Sequence, residues 1–261
     1  MKAKKVVVIS IAIAFLLIAI LSCFALFSVS KVEIAFATGK NTDAHKIQEE
    51  LDEYKGKNLL FLDVEDVEKT LKQNPYLEVV SVEKDYPNVI KVSIKERREV
   101  YYLNHDGMAY ILDGEGYVLK SVVPELLEGE REKIELCFET ELGYNNVQVQ
   151  DLTVGRKIKT DNDALLFTAF DMANNVNLTD CIKAITIDCN LKNVIATTYT
   201  GVKVCVTKAE DEGVRKIIDA FEYYDTVVTD YDKAFDTLIV TKNRESGKIE
   251  LAWSGNSGIG K

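Results

Sequence analysis

Residues 74–96 read NPYLEVVSVEKDYPNVIKVSIKE, and this stretch decides the fold of the first half of the chain. Two strands are predicted in it, Leu77–Lys84 and Val89–Lys95, joined by Asp85-Tyr86-Pro87-Asn88. Ile90, Val92 and Ile94 alternate with Lys91, Ser93 and Lys95, so the second strand buries one face and wets the other. Asn74-Pro75 stops the helix before it, because proline pushes its predecessor out of the helical region. That helix is predicted to start at Asp63, with Val64, Val67 and Leu71 on one face. Further back, Ala44, Ile47, Leu51 and Tyr54 form one stripe of an earlier helix, capped by Thr42 or Asp43 and stopped at Gly56. Val29–Ala37 alternates well enough for a strand, and Gly39-Lys40-Asn41 turns the chain after it. Residues 29–98 therefore read as β-α-α-β-β.

Ahead of this unit the chain is apolar from Val6 to Val29, broken only by Ser10, Ser22, Cys23 and Ser28. At about 1.5 Å per residue such a helix crosses the hydrocarbon core of a bilayer. Lys2, Lys4 and Lys5 precede it, and the positive-inside rule puts them in the cytoplasm and the bulk of the chain outside. A retained anchor is expected, since a cleaved signal peptide has an apolar region of only about 7–15 residues. Ile20-Leu21-Ser22-Cys23 loosely resembles a lipoprotein cleavage box, yet Phe24-Ala25-Leu26-Phe27 continues the apolar run beyond it. With the three lysines set aside, the formal charge of the remainder moves from -10 to -13. An outer part this acidic is repelled by anionic lipid, and phosphate binding needs a basic face, so nucleic acid is not an expected partner.

Downstream, Val100–Leu103 and Ala109–Leu112 flank a hairpin turn at Asn104-His105-Asp106-Gly107. A less regular stretch is expected through Leu142, then a helix capped by Thr160 or Asp161 that carries Leu165, Leu166, Ala169, Phe170 and Ala173. Strands follow at Ala184–Ile187, Val194–Tyr199 and Val202–Thr207. Thr207-Lys-Ala-Glu210 reads as a capping box opening a helix with Val214, Ile217, Ile218 and Phe221 inward. Thr237–Thr241 is a further strand, Asn243–Gly247 a turn, and Lys248–Trp253 a last alternating strand with Ile249, Leu251 and Trp253 on one face. Ser254–Lys261 is small and polar, and disorder is expected there.

Several runs resemble one family. Val32-Glu-Ile, Gly39-Lys-Asn41, Gly56-Lys-Asn-Leu59 and Leu62-Asp63 resemble the FtsQ-type POTRA domain, as does Asn74–Val92 followed by Glu96-Arg97. Met108–Val118, with Tyr110, Asp113, Gly116 and Val118, looks like that family's Y-x-L-D-x-x-G-x-V hairpin. With a short basic tail and one span in front, the chain resembles the FtsQ/DivIB family of bacterial division proteins. After Glu-Arg that family commonly shows x-Pro-Val, whereas this chain has Arg98-Glu99-Val100, a departure expected to alter the interdomain bend. The resemblance implies an α+β fold with a single N-terminal transmembrane helix. The expected division is a cytoplasmic tail (1–5), a transmembrane helix (6–28), a POTRA domain (29–98), a mixed β domain with an extended sheet (99–243), and an edge strand with a disordered tail (244–261). It also implies a non-enzymatic scaffold at the division septum, holding FtsL-like and FtsB/DivIC-like partners and linked to septal peptidoglycan synthases. Candidate partner-binding residues are Leu238, Val240, Ile249, Leu251 and Trp253, because an added strand uses backbone hydrogen bonds at the sheet edge. A secretion or membrane-insertion component is the alternative, but it predicts tandem POTRA repeats or a C-terminal barrel.

The chemistry-bearing residues point the same way. No G-x-S-x-G, H-E-x-x-H or Walker loop occurs, so no catalytic or cofactor residues are expected. Asp161-Asn162-Asp163 lacks the glycine and distal glutamate of a calcium loop and reads as helix-start acids. Glu128–Glu132 reads as a solvated loop, and Asn177-Leu-Thr179 is a glycosylation sequon. His45 and His105 are expected to be exposed. No C-x-x-C pair occurs among the five cysteines; buried small hydrophobes and a disulfide are both open readings for those outside the span. A cell-wall enzyme is the remaining alternative, and it would need two carboxyl groups or a metal set converging in a cleft.

Overall fold

The computed structural model describes residues 2–37, 41–127, 133–140, 143–144, 152–160, 163–175, 182–210, 213, 215–216, 218–219, 222 and 237–254. The chain divides into two compact units, Met1–Arg97 and Arg98–Lys261.

The first unit opens with α1 (Lys2–Leu26), followed by β1 (Lys31–Ala37), α2 (Ala44–Asp52), α3 (Val64–Leu71), β2 (Leu77–Asp85) and β3 (Val89–Glu96). Both short helices start by the same device: Asp43 accepts from the amide of His45 at 2.9 Å and Asp63 from that of Glu65 at 3.0 Å. Each cap satisfies an amide that has no partner within the helix. Gly56, at φ +84°, reverses the chain after α2, where its amide donates to the Val29 carbonyl. The sheet order is β1-β3-β2, with β3 parallel to β1 and antiparallel to β2. Ile90, Val92 and Ile94 of β3 pack with Val32, Ile47, Leu51, Tyr54, Val67 and Leu71, so both helices cover one face. Burying each such aliphatic side chain contributes about 1.5–3 kcal/mol. Ala44, expected on the inner stripe of α2, is exposed. Tyr54 is buried with its hydroxyl 3.0 Å from the Asp66 carbonyl and 2.6 Å from Thr70 Oγ1, which ties α2 to α3.

In the second unit β4 (Tyr101–His105) and β5 (Met108–Leu112) form a hairpin across Asp106 and Gly107, both at positive φ. They are followed by β6 (Val118–Val122), a 3-10 turn (Pro124–Leu127), β7 (Ile134–Thr140), β8 (Gly143–Tyr144) and α4 (Asp163–Asn175). Then come β9 (Ile182–Asp188), β10 (Asn193–Thr198), β11 (Lys203–Val206), β12 (Thr237–Lys242) and β13 (Ile249–Ser254). Gly213, Arg215, Lys216, Ile218, Asp219 and Glu222 are helical. Among the described residues the sheet runs β13-β12-β11-β10-β9-β7-β4-β5-β6, with β8 paired to β7. Leu165, Leu166, Ala169 and Phe170 of α4 join one core with Tyr101, Phe138, Ile185, Val194 and Val204 of the sheet.

Four further expectations are corrected. The stretch through Leu142 is not irregular, because β7 runs through it between β4 and β9, parallel to both. Its alternating Ile134, Leu136 and Phe138 belong to the core. Thr207 does not open a helix: its hydroxyl donates to the Val240 carbonyl at 3.1 Å, a partner distant in sequence. Residues 207–210 form a turn, and Ile218 is 45% exposed while Lys216 is 1% exposed. Finally, the His105 side chain is largely buried at the end of β4, whereas His45 is exposed as expected. Val214, Ile217, Phe221, the Glu128–Glu132 run, the Asn177 sequon, Cys181 and the tail from Gly255 lie outside the described residues.

Candidate docking edge

The last two strands and the turn between them form the far end of the large sheet. Leu238 and Val240 of β12 are completely buried in the core, which fixes β12 as a wall rather than a surface. β13 pairs antiparallel with it, setting Trp253 opposite Leu238, Leu251 opposite Val240 and Ile249 opposite Lys242. Ile249 and Leu251 are half-buried against the same core. The Trp253 side chain lies outside the described residues. The five residues named from sequence are thus brought together on two adjacent strands. Leu238 and Val240 hold the sheet, and β13 supplies the edge.

The turn owes its shape to Asn243. Its side-chain oxygen accepts from the amides of Glu245 at 2.8 Å and Ser246 at 3.0 Å, its carbonyl accepts from Gly247, and its amide donates to the Lys248 carbonyl. Gly247 completes the reversal at φ +67°. Asn243 Nδ2 also donates to Glu250 at 2.7 Å, fixing the first residues of β13. Beside the turn a pocket of about 360 Å³ is lined by Lys208, Lys216, Thr241, Lys242, Arg244 and Gly247, among others. The buried Lys216 ammonium donates to the carbonyls of Thr207 at 3.0 Å and Lys208 at 3.1 Å. Sequence reading missed this basic corner, although Lys242, Arg244 and Lys248 flank the turn in an otherwise acidic region.

The two ends of the sheet differ. β6 is already occupied where it begins: Val118 donates to the Arg156 carbonyl and accepts from Gly155, and Ile158 donates to Gly116. Among the described residues β13 pairs with β12 alone. An edge strand with free backbone groups can take another strand, which is the chemistry this end offers.

Reactive groups elsewhere are quiet. Burial, followed by the nearby Glu135, pushes the Cys137 thiol up to about 11, and burial with Asp188 raises that of Cys205. Both therefore stay protonated and weakly nucleophilic at neutral pH. The described cysteines are free thiols. No group of three or more His, Cys, Asp or Glu side chains able to hold a metal occurs among the described residues.

Residues 27–97 match the family model of the FtsQ-type POTRA domain. The chain is 36% identical over 63 residues to the cell division protein DivIB of Clostridium tetani, covering 24% of each chain. It is 33% identical over 66 residues to DivIB of Clostridium acetobutylicum, covering 25% of this chain and 26% of that one. To the cell division protein FtsQ of Myxococcus fulvus it is 39% identical over 70 residues, covering 27% of this chain and 24% of the relative. Each match spans about a quarter of the relative's length. Among solved structures, the major extracytoplasmic domain of DivIB from Geobacillus stearothermophilus aligns with a TM-score of 0.28 and 11% identity, covering 51% of this chain and 98% of that one. The chain is a POTRA-domain protein of α+β architecture. Its POTRA domain is of the FtsQ type, and over that region the chain is similar to DivIB and FtsQ proteins.

Proposed function

We propose that the chain is a non-catalytic, single-pass scaffold of the bacterial division machinery. In this reading α1 spans the membrane with its lysine-bearing end in the cytoplasm, and both units lie outside at the division septum. The apolar helix and the similarity to proteins of bacterial cell division support this reading. Ile9–Leu26 has a mean hydropathy of 2.9 and is unburied. FtsL-like and FtsB/DivIC-like division proteins are the proposed partners, and through them the septal peptidoglycan synthases. The observation that carries the docking mode is the open β13 edge backed by a fully packed β12. A partner strand adds to β13 by backbone hydrogen bonds, and the basic corner at Lys208 and Arg244 favours an acidic residue at the end of that strand. Anchoring all members in one membrane raises their effective concentration, so modest interfaces suffice.

The test uses two prolines. Successive amides of an edge strand point alternately inward and outward, so in Glu250→Pro and Leu251→Pro one substitution breaks the β12 ladder and the other removes an outward donor. Binding of the full chain in nanodiscs to the co-resident FtsL-like and DivIC-like proteins is measured by calorimetry, alongside thermal melts. One variant is expected to melt normally yet lose binding. If the normally melting variant binds like the parent, strand addition at β13 is wrong. If the parent does not bind, the divisome reading itself fails.

A further inference from the structure

Two loops of the first unit grip the exit of α1. The Leu59 amide donates to the Phe27 carbonyl at 2.7 Å, the Val29 amide to Lys57 at 2.9 Å, and the Ser30 amide to Asn88 at 2.9 Å. Ser28 forms an isolated bridge with Asn58 and donates its hydroxyl to Gly56. Leu59 is fully buried in the domain core, so this connection is packed rather than hinged. Asn58 then folds the next residues outward: its side chain accepts from the Leu60 amide, and its carbonyl from those of Phe61 and Leu62. At the tip Leu60 is 41% exposed and Phe61 76% exposed, and across from them Tyr86 is 55% exposed.

Large apolar groups are rarely presented to water in a contiguous set without a partner. Here the set is continuous with the span. Phe61 stacks on Phe24 with centroids 5.9 Å apart, and Phe27 meets Tyr86 edge-on at 6.1 Å. Phe24 lies two residues inside the outer end of the apolar segment Ile9–Leu26. With the hydrocarbon boundary taken at Leu26, a rise of about 1.5 Å per residue puts Phe24 some 3 Å below it. A ring stacked on Phe24 must share that depth. Residues 58–62 carry no charge; Lys55 and Lys57 precede them, Lys57 over the Tyr54 ring at 4.0 Å, and Asp63 follows. Aromatic rings beside basic residues are what the headgroup region accepts.

We infer that Leu60, Phe61 and Tyr86 form a foot that inserts into the outer leaflet, holding the POTRA domain on the bilayer in a fixed orientation. The occupant of this surface is phospholipid. The inference rests on the reading of α1 as a transmembrane helix, and the experiment separates the two. In a Trp253→Phe background of the full chain, Phe61→Trp and, separately, Phe15→Trp are reconstituted into phosphatidylcholine vesicles, with and without bromine on the acyl chain near the headgroup. Phe61→Trp is expected to be blue-shifted and to lose emission to the brominated lipid, and Phe15→Trp to be quenched when the bromine is moved deeper. If Phe15→Trp is quenched and Phe61→Trp is not, the foot is overturned while the span stands, and the patch belongs to a protein partner. If neither is quenched, span and foot fall together. A melt matching the parent shows that the exposed Phe61 position tolerates the change.

Discussion

Gly116 carries a positive φ of +88°, and a methyl group added there would lie 2.6 Å from the Phe170 ring. The neighbouring Asp113 closes the turn by accepting from the amides of Glu115 at 2.9 Å and Tyr117 at 2.8 Å. Phe170 packs in turn on Tyr101, with ring centroids 5.3 Å apart. The turn, α4 and β4 thus meet at one point. Gly116→Ala is expected to destabilise the second unit by about 1–3 kcal/mol, read as a lowered thermal midpoint, because it adds both backbone strain and a collision. A melt unchanged from the parent would show that Phe170 can yield. The need for glycine here was legible, since Asp113-Gly114-Glu115-Gly116 asks for a tight reversal. That the missing side chain also makes room for Phe170 was not, because the contact joins residues far apart in sequence.

Single elements were legible to the degree that their causes are local. Asp43 and Asp63 cap the helices they precede, and the alternation of β3 gives its buried face. β7 carries an equally clear alternation, yet it follows the charged Glu128–Glu132 run, beside which the stretch reads as irregular. Its place between β4 and β9 is set by parallel pairing to distant strands, which no local pattern reveals. Phe138→Ala, in the middle of this strand, is expected to cost about 3–5 kcal/mol by chemical denaturation. A cost below about 1 kcal/mol would mean that β7 is not central to the core. The candidate edge shows the same division. The strands containing Leu238, Val240, Ile249, Leu251 and Trp253 could be read from their alternation. The burial of Leu238 and Val240 and the placement of Lys216 could not. Thr207 resembled a helix cap until the Val240 carbonyl, over thirty residues away, claimed its hydroxyl.

At the scale of the whole chain, the formal charge beyond the first three lysines is -13. Like charges at this density repel one another and oppose the compact state, and salt screens them over about 8 Å at physiological strength. The thermal midpoint of the full chain in neutral nanodiscs is therefore expected to rise when sodium chloride is increased from low to moderate concentration. A falling midpoint would mean that exposed ion pairs, such as Lys72–Glu68 and Lys91–Asp85, outweigh the repulsion. The asymmetry of the large sheet has a different consequence. Propagation into a fibre needs two open ends, so that each newcomer leaves a fresh template behind it. Among the described residues the start of β6 is bonded to the chain's own residues 155–158, while β13 carries no such cover, so β13 is the freer of the two ends. In the proposed docking mode that asymmetry favours one incoming strand per chain, added at β13.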